Sequence, residues 1–227
     1  MAAKSARSRG MFARRGLAAR GTLDRTTHAM LLRQLYLSLF ESRRFQAAHD
    51  VAMQALELDV LPDVLNQDAA RAALAAGDVE RSIIHLRAAA RRAPASRRPF
   101  HLWTLGSTLY LAHRYEEAAA ALARAARWGT HDKPLYRGHL ALAMLASGRG
   151  VADIEDVVRA LEEAACGQGY GRFVLGQLAF ARGEWAKAKR YLDAFVRRTT
   201  ASRTSLGIAL EGELKLARET LARMSAN

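Results

Sequence analysis

The sequence has a single cysteine, Cys166, among its 227 residues. One thiol cannot form a disulfide within the chain, which excludes a secreted scaffold held by internal disulfides and predicts a reducing, cytoplasmic setting. Long apolar runs are also missing, because Arg137 and Arg149 flank the apolar residues 140–146. A membrane-spanning helix needs roughly 18 to 20 apolar residues, and an N-terminal secretory signal needs a run of about 7 to 15, so the sequence predicts neither.

Residue patterns typical of enzymes and metal sites are absent as well. The seven histidines include no pair three or four residues apart, as a zinc site on a helix requires, and Cys166 has no second cysteine for a CxxC motif. The glycine-rich residues 167–171 lack the GxGxxG spacing, and no phosphate-binding GK[ST] loop occurs. We therefore predict no catalytic residue, no metal and no cofactor, and we interpret residues 167–171 as a connection between helices.

The net charge of +13 is unevenly distributed. Residues 1–27 contain seven basic residues against Asp24 alone, a net charge of +6, which leaves +7 for the rest of the chain. Because the first 21 residues are mostly alanine, arginine, serine and glycine, they offer little apolar surface to bury. We predict a disordered basic N-terminal tail over residues 1–27 and a folded domain over residues 28–227. The 30 arginines against 5 lysines also suggest a GC-rich, bacterial source.

The main positive feature of the sequence is an internal repeat. We take Gly106 as the origin of one repeat. Small or large apolar residues follow it at twelve, sixteen and nineteen residues, and a leucine precedes it. Small or apolar residues recur at the same offsets from Tyr36, Ala70 and Gly176, and helix-ending signals such as the Ala-Gly-Asp at residues 76–78 lie about seven residues beyond each origin. This spacing predicts helix hairpins, in which a small residue on the first helix lets the second helix approach closely.

The units at residues 99–133 and 169–199 resemble the tetratricopeptide repeat, with its period of roughly 34 residues. A further unit is predicted around Ala141, with a turn about four residues longer, and a C-terminal capping element with a polar outer surface that includes Glu213. The resemblance covers residues 29–224. It implies an all-α, right-handed superhelical solenoid of about five tetratricopeptide-like hairpins plus the cap.

The same resemblance implies which side chains line the concave face of the solenoid. These are the first-helix residues six and three before, and one and four after, the small residue of each unit. Aromatic residues collect at these positions in two units, although aromatic residues at helical spacing are more often core. The predicted partner-binding groove consists of Arg33, Gln67, Arg71, Phe100, Trp103, Tyr110, Leu142, Tyr170, Phe173, Gln177 and Phe180.

The function predicted from these features is that of a non-catalytic adaptor or chaperone-like scaffold. It would bind a peptide or helix of a protein partner in the aromatic-lined groove, with Gln67 and Arg71 orienting the bound segment. The alternative is a nucleic-acid-associated helical-repeat protein that uses its basic tail and surface arginines. The sequence does not indicate the oligomeric state.

One segment of the sequence concentrates negative charge around the lengthened turn of the fourth unit. We hypothesise that it receives a basic segment, either the N-terminal tail or an arm of a partner, and the alternative is a solvated charged face. The residues of this acidic patch are Asp153, Glu155, Asp156, Glu162 and Glu163.

Overall fold

The computed structural model describes residues 5–19 and 23–225. These residues form thirteen α-helices and a 3-10 turn, Ala165–Gln168, and contain no β-strand. The predicted all-α class is therefore confirmed. The helices are α1 (Ala6–Ala18), α2 (Arg25–Glu41), α3 (Phe45–Leu56), α4 (Pro62–Ala75), α5 (Val79–Arg92), α6 (Arg98–Leu111), α7 (Tyr115–Trp128), α8 (Lys133–Ala146), α9 (Ile154–Glu163), α10 (Gly171–Ala181), α11 (Trp185–Thr200), α12 (Thr204–Ala209) and α13 (Glu211–Ser225).

The chain divides into two compact units, Met1–His101 and Leu102–Asn227. The boundary runs through α6, so the first unit contains α1 to α5 and the start of α6, and the second unit contains the remaining helices. The sequence predicted one repeat domain over residues 28–227 instead. Within residues 5–19 and 23–225, no helix is long and apolar enough to cross a membrane.

Helix α1 lies where the sequence predicted a disordered tail, and for these residues that prediction is wrong. The helix begins at the N-cap Ser5, whose side chain accepts a hydrogen bond from the backbone of Ser8. It packs on α2 through small residues: a Cβ atom added to the buried Gly10 would lie 2.4 Å from Oγ of Ser38. The amino-acid composition did not predict this contact, because two helices approach closely through small side chains and do not need large apolar ones.

Two polar contacts complete the attachment of α1 to α2. The hydroxyl of Ser38 donates a hydrogen bond of 2.6 Å to the carbonyl of Ala6, and Arg9 pairs with Glu41 at 2.7 Å. The remaining residues of the predicted tail include 1–4 and 20–22, which lie outside the described residues.

The predicted hairpins are the five helix pairs α2 with α3, α4 with α5, α6 with α7, α8 with α9, and α10 with α11. Each turn contains a residue with positive φ seven residues after the repeat origin, and the N–H of the next residue donates a hydrogen bond of 2.9 Å to the carbonyl five residues earlier. This is the Schellman arrangement, which satisfies a carbonyl at the helix end. The residues at this position are Arg43, Gly77, His113, Gly148 and Gly183, and the longer fourth turn has a second positive-φ residue, Asp153.

The fourth hairpin has the longer turn that the sequence predicted. In the other four hairpins the second helix begins nine residues after the repeat origin, whereas α9 begins at Ile154, thirteen residues after Ala141. The four extra residues follow the left-handed Gly148, so the end of α8 keeps the geometry of the other first helices.

Small residues on the first helices allow close packing, as the repeat pattern indicated. A Cβ atom added to Gly106 would lie 2.5 Å from Leu122, and one added to Gly176 would lie 2.6 Å from Leu192. In the fourth hairpin the residue in this position is Gly138, which faces Leu161 at 2.7 Å. The sequence had placed Ala141 there, so the lengthened turn changes which residues of α8 and α9 meet.

The C-terminal cap consists of the six-residue α12 and the longer α13. Helix α13 packs on α10 and α11 and also reaches α6, where a Cβ atom added to Gly212 would lie 3.0 Å from Leu111. Glu213 is only 6 % exposed. The prediction that it belongs to the polar outer surface of the cap is therefore wrong, because α13 turns this side chain towards the first helices of the second unit.

Candidate functional site

In the first unit, two of the predicted groove arginines converge on one buried carboxylate. Nε of Arg33 lies 2.6 Å from Oδ2 of Asp68, and Nη1 of Arg71 lies 3.9 Å from Oδ1. The side chain of Asp68 is 2 % exposed, whereas those of Arg33 and Arg71 are 33 % and 40 % exposed. The anion is therefore inside and the two cations reach the surface.

A second carboxylate, Asp63, lies five residues earlier on α4. Asp63 accepts two hydrogen bonds from the guanidinium of Arg97, at 2.7 and 3.0 Å, and its Oδ2 lies 3.1 Å from Nε2 of His101. Nδ1 of the same histidine is 2.7 Å from the side-chain oxygen of Gln67. Gln67 was predicted to contact a partner, but it is buried and contacts this histidine.

The two aspartates of this polar cluster differ in electrostatics. Burial alone would raise the pKa of Asp63, but the hydrogen bonds from Arg97 and His101 lower it below its usual value. Burial raises the pKa of Asp68, and Arg33 and Arg71 oppose that shift only in part. Burial also lowers the pKa of His101, and the hydrogen bond and charge of Asp63 oppose this shift.

Partly exposed apolar side chains share the helix faces of the two arginines by their spacing. They lie on α2 and α4, and Phe100, at the start of α6, is 39 % exposed. We call this surface the inner face of the first unit. It consists of Met30, Arg33, Leu37, Val64, Arg71, Leu74 and Phe100.

In the second unit, most of the predicted groove residues are buried. Phe173 is fully buried, and Tyr110, Leu142 and Gln177 are also buried. The partly exposed ring of Trp103 packs edge-on against Tyr170, with centroids 4.8 Å apart. The second unit therefore joins these side chains into a packed aromatic cluster.

Helix α13 contacts the first helices of the second unit at the predicted groove positions. Glu213 accepts hydrogen bonds from Ser107, at 3.2 Å, and from the hydroxyl of Tyr170, at 3.0 Å. Further along α13, Thr220 accepts a bond of 3.1 Å from Gln177.

At the far end of α13, the guanidinium of Arg223 lies 5.0 Å from the ring centroid of Phe180. The surface beneath α13 is the inner face of the second unit. It consists of Ser107, Tyr170, Gln177 and Phe180.

The carboxylate of Glu213 is buried without a cation. Burial raises its pKa, and the hydrogen bonds from Tyr170 and Ser107 oppose the shift. Within the described part of the chain, neither an arginine nor a lysine pairs with it. Two hydroxyl groups are thus the side-chain partners of a carboxyl group that has left water.

The predicted groove residues are divided between the two units. Arg33, Gln67, Arg71 and Phe100 belong to the first unit and the other seven belong to the second. Whether they anchor a partner stays a prediction.

Sequence reasoning missed several polar residues at these faces. Asp63 and Asp68 stand in an alanine-rich helix, at a spacing that places both near Gln67 and Arg71, and this signal could have found them. Nothing in the sequence distinguishes His139, which is fully buried in the second unit.

The acidic patch is partly neutralised by its own neighbours. Glu155 pairs with Arg182 at 3.0 Å, and Asp156 pairs with Arg159 on the same helix. Glu162 accepts a hydrogen bond from the hydroxyl of Tyr191. Asp153 and Glu163 are exposed. That the patch receives a basic segment stays a prediction.

Nothing in the described residues assembles a metal centre. No three His, Cys, Asp or Glu side chains in residues 5–19 and 23–225 are placed to hold an ion. Cys166 is half-buried in the 3-10 turn, and burial raises the pKa of its thiol, which disfavours the reactive thiolate.

The fold is a tetratricopeptide-like all-α helical repeat. Among solved structures, the chain is similar to one described as "Functional Characterization of Pseudomonas Aeruginosa pilF", a protein that contains tetratricopeptide repeats. The TM-score is 0.58 at 20 % sequence identity, over 88 % of this chain and 90 % of that chain. At this identity the similarity concerns the fold alone. No protein-family model and no curated protein matches the sequence.

Proposed function

We propose that the protein is a non-catalytic protein-interaction module that binds a peptide or helix of a protein partner on the inner face of the first unit. The observation that carries this proposal is the arginine pair. Arg33 and Arg71 share one buried carboxylate while their guanidinium groups stay partly exposed.

A buried carboxylate that holds two exposed guanidinium groups prepares them for a ligand. Asp68 uses only part of the donor capacity of Arg33 and Arg71, since each guanidinium carries five N–H donors. The unused donors suit a second carboxylate, which arginine binds with two parallel hydrogen bonds. The partner segment therefore carries an aspartate, a glutamate or a C-terminal carboxylate.

The apolar part of the inner face defines the rest of the partner segment. Leu37, Val64 and Leu74 are partly exposed on the same helices as the arginines, and Phe100 offers a rigid aromatic surface. Apolar residues on either side of the partner carboxylate would bury this area.

The test is capture of native-host proteins on three forms of the immobilised chain, with and without nuclease. The forms are wild type, Arg71→Gln and Arg91→Gln. Arg71→Gln leaves the shorter Arg33–Asp68 pair in place, and Arg91 is an exposed arginine of α5, away from the inner face. We expect nuclease-resistant protein bands that weaken with Arg71→Gln and persist with Arg91→Gln.

Two results would contradict the proposal. Equal loss of the bands in both arginine variants would show that general positive charge, rather than the inner face, holds the partner. Loss of all bands after nuclease treatment would favour the nucleic-acid alternative.

A further inference from the structure

We propose that α13 is an exchangeable occupant of the inner face of the second unit, and that this face binds a partner helix with the contact pattern of α13. The partner helix would present a carboxylate to Ser107 and Tyr170, a hydroxyl side chain seven residues later to Gln177, and a cation three residues further to Phe180. This inference deepens the proposed function, because it adds a second binding face and the class of segment that it takes.

The contacts of α13 follow one stripe of the helix. Residues seven apart lie on the same side of an α-helix after almost two turns, so Glu213 and Thr220 face the same way, and Arg223 follows less than a turn later. All three contact first helices of the second unit. This arrangement is that of a helix seated in a helix-binding surface.

Helix α13 buries few apolar side chains for a helix of fifteen residues. Its buried residues are Glu213, Leu214, Ala217 and Thr220, of which only the leucine and the alanine are apolar. Helix α11 also buries four residues, but three of them, Ala188, Leu192 and Phe195, are apolar. Because burial of apolar surface supplies most of the free energy of helix packing, α13 is held more weakly than α11.

The buried carboxylate weakens the attachment further. Glu213 loses its hydration when α13 docks and receives only two hydroxyl donors from side chains in return. A charge buried without a counter-ion costs free energy that an undocked helix recovers in water. Its place in the first turn of α13 offsets part of this cost through the helix dipole.

The link to the preceding helix permits movement. Helix α12 has six residues and buries only Ile208, while Leu206 is 48 % exposed. Among the described residues, the nearest atom to a Cβ atom added to Gly207 is the carbonyl oxygen of Thr199, at 3.9 Å. Few contacts therefore hold the segment that carries α13.

The hydrogen-bonding side chains beneath α13 come from the first helices, while α13 also packs along α11. The hydroxyl oxygens of Ser107 and Tyr170 lie 2.7 Å apart, so they can bond each other when no carboxylate is present. The ring of Tyr170 is fixed by Trp103 and by Phe173, whose centroid is 5.6 Å away. Release of α13 would thus expose a prepared site.

The experiment measures binding of a labelled peptide with the sequence of residues 211–225 to the full-length chain by fluorescence anisotropy. The chain is compared as wild type, as Glu213→Lys, which weakens docking of its own α13, and as Glu213→Gln, which removes the buried charge and keeps an acceptor oxygen. The apparent affinity for the peptide scales with the fraction of chains whose site is open. Relative to wild type, we therefore expect roughly tenfold tighter peptide binding to Glu213→Lys and weaker binding to Glu213→Gln.

Peptide variants and a chain variant serve as controls. A Glu213→Lys peptide should lose binding, whereas an Arg218→Gln peptide should keep it, because Arg218 is exposed on α13. The Arg71→Gln chain should bind the peptide as wild type does, which separates this inference from the interaction proposed for the first unit.

The proposal is overturned if no chain binds the peptide, or if Glu213→Lys binds it no better than wild type. Should the Glu213→Lys chain fail to fold by circular dichroism, wild type and Glu213→Gln decide: weaker binding to Glu213→Gln supports exchange, and equal binding overturns it.

Discussion

His139 is an unusual core residue because neither ring nitrogen has a hydrogen-bond partner in the described part of the chain. It is fully buried among aromatic rings, including Tyr110 at 5.5 Å and Tyr170 at 6.0 Å between centroids. Burial lowers its pKa to about 3. A buried polar group without a partner typically costs about 1 to 3 kcal/mol, so the residue weakens the second unit.

We predict that His139→Phe raises the free energy of unfolding, by about 1 kcal/mol at pH 7 and by about 2 kcal/mol more at pH 5. A lowered pKa in the folded state means that the unfolded chain takes up a proton below about pH 6.5 while the folded chain stays neutral. Acidification therefore destabilises the wild type through this residue, and phenylalanine removes the effect.

Urea unfolding at the two pH values measures this change, with His131→Gln as the control because His131 is exposed. An equal gain at pH 7 and pH 5 would show that His139 is not held neutral in the folded chain.

At the scale of elements, the hairpin turns depend on one residue with positive φ. Gly183 has φ of 75°, and a Cβ atom added there would meet no atom of residues 5–19 and 23–225 within 4 Å. A side chain at this position would therefore cost free energy only because an L-residue disfavours the left-handed backbone conformation, by about 1 kcal/mol.

We predict that Gly183→Ala lowers the free energy of unfolding by about 1 kcal/mol, measured by chemical denaturation. Gly150→Ala is the matched control, since Gly150 is equally open but does not have positive φ. It should leave stability nearly unchanged. A similar loss in both variants would mean that the backbone geometry is not the cause.

The glycines between paired helices make a different contribution. A Cβ atom at Gly106 would lie 2.5 Å from Cγ of Leu122, so Gly106→Ala forces α6 and α7 apart or moves the leucine. We predict a loss of about 1 to 3 kcal/mol in the free energy of unfolding. In a Leu122→Ala background the same glycine change should cost less, because the clashing atoms are gone. Additive losses would contradict the close contact.

The sequence was sufficient for the hairpins because their pattern is local. Leucines, small residues and turn signals recur at fixed offsets, and five left-handed turn residues lie seven positions after the origins, including the one after Ala141. Helix α1 was missed since its packing depends on Gly10 meeting Ser38, a contact between distant residues that composition does not reveal.

The candidate site was predictable only in part for a similar reason. Helical spacing indicated the face on which Arg33, Arg71 and Tyr170 lie, but not what would lie against them. Asp68 and Glu213 approach these residues through tertiary packing over 35 and 43 positions of sequence. Periodicity therefore indicates a surface, and the structure is needed to identify its neighbours.

At the scale of the whole molecule, all three tryptophans, Trp103, Trp128 and Trp185, belong to the second unit. Tryptophan fluorescence therefore reports the second unit, whereas far-ultraviolet circular dichroism reports helices of both. In repeat proteins, stability is approximately a sum over units and neighbouring interfaces, so a local change need not affect every probe equally.

We predict that Gly77→Ala, in the first unit, lowers the denaturation midpoint seen by circular dichroism more than the midpoint seen by tryptophan fluorescence. Gly183→Ala, in the second unit, should show the opposite order. Both glycines have positive φ and open surroundings, so the two changes are matched. Identical shifts by both probes in both variants would show that the two units unfold as one cooperative block.

The lengthened fourth turn has a practical consequence. The bond from Arg149 N–H to Met144 C=O is as short as its counterparts, 2.9 Å, although four additional residues follow before α9 begins. The chain has thus already accepted an insertion here, and Gly150 has open space around it. A short epitope or a fluorophore-binding tag grafted after Gly150 would label the folded protein at a distance from α4 and α13 along the chain, leaving both candidate binding faces unaltered in sequence.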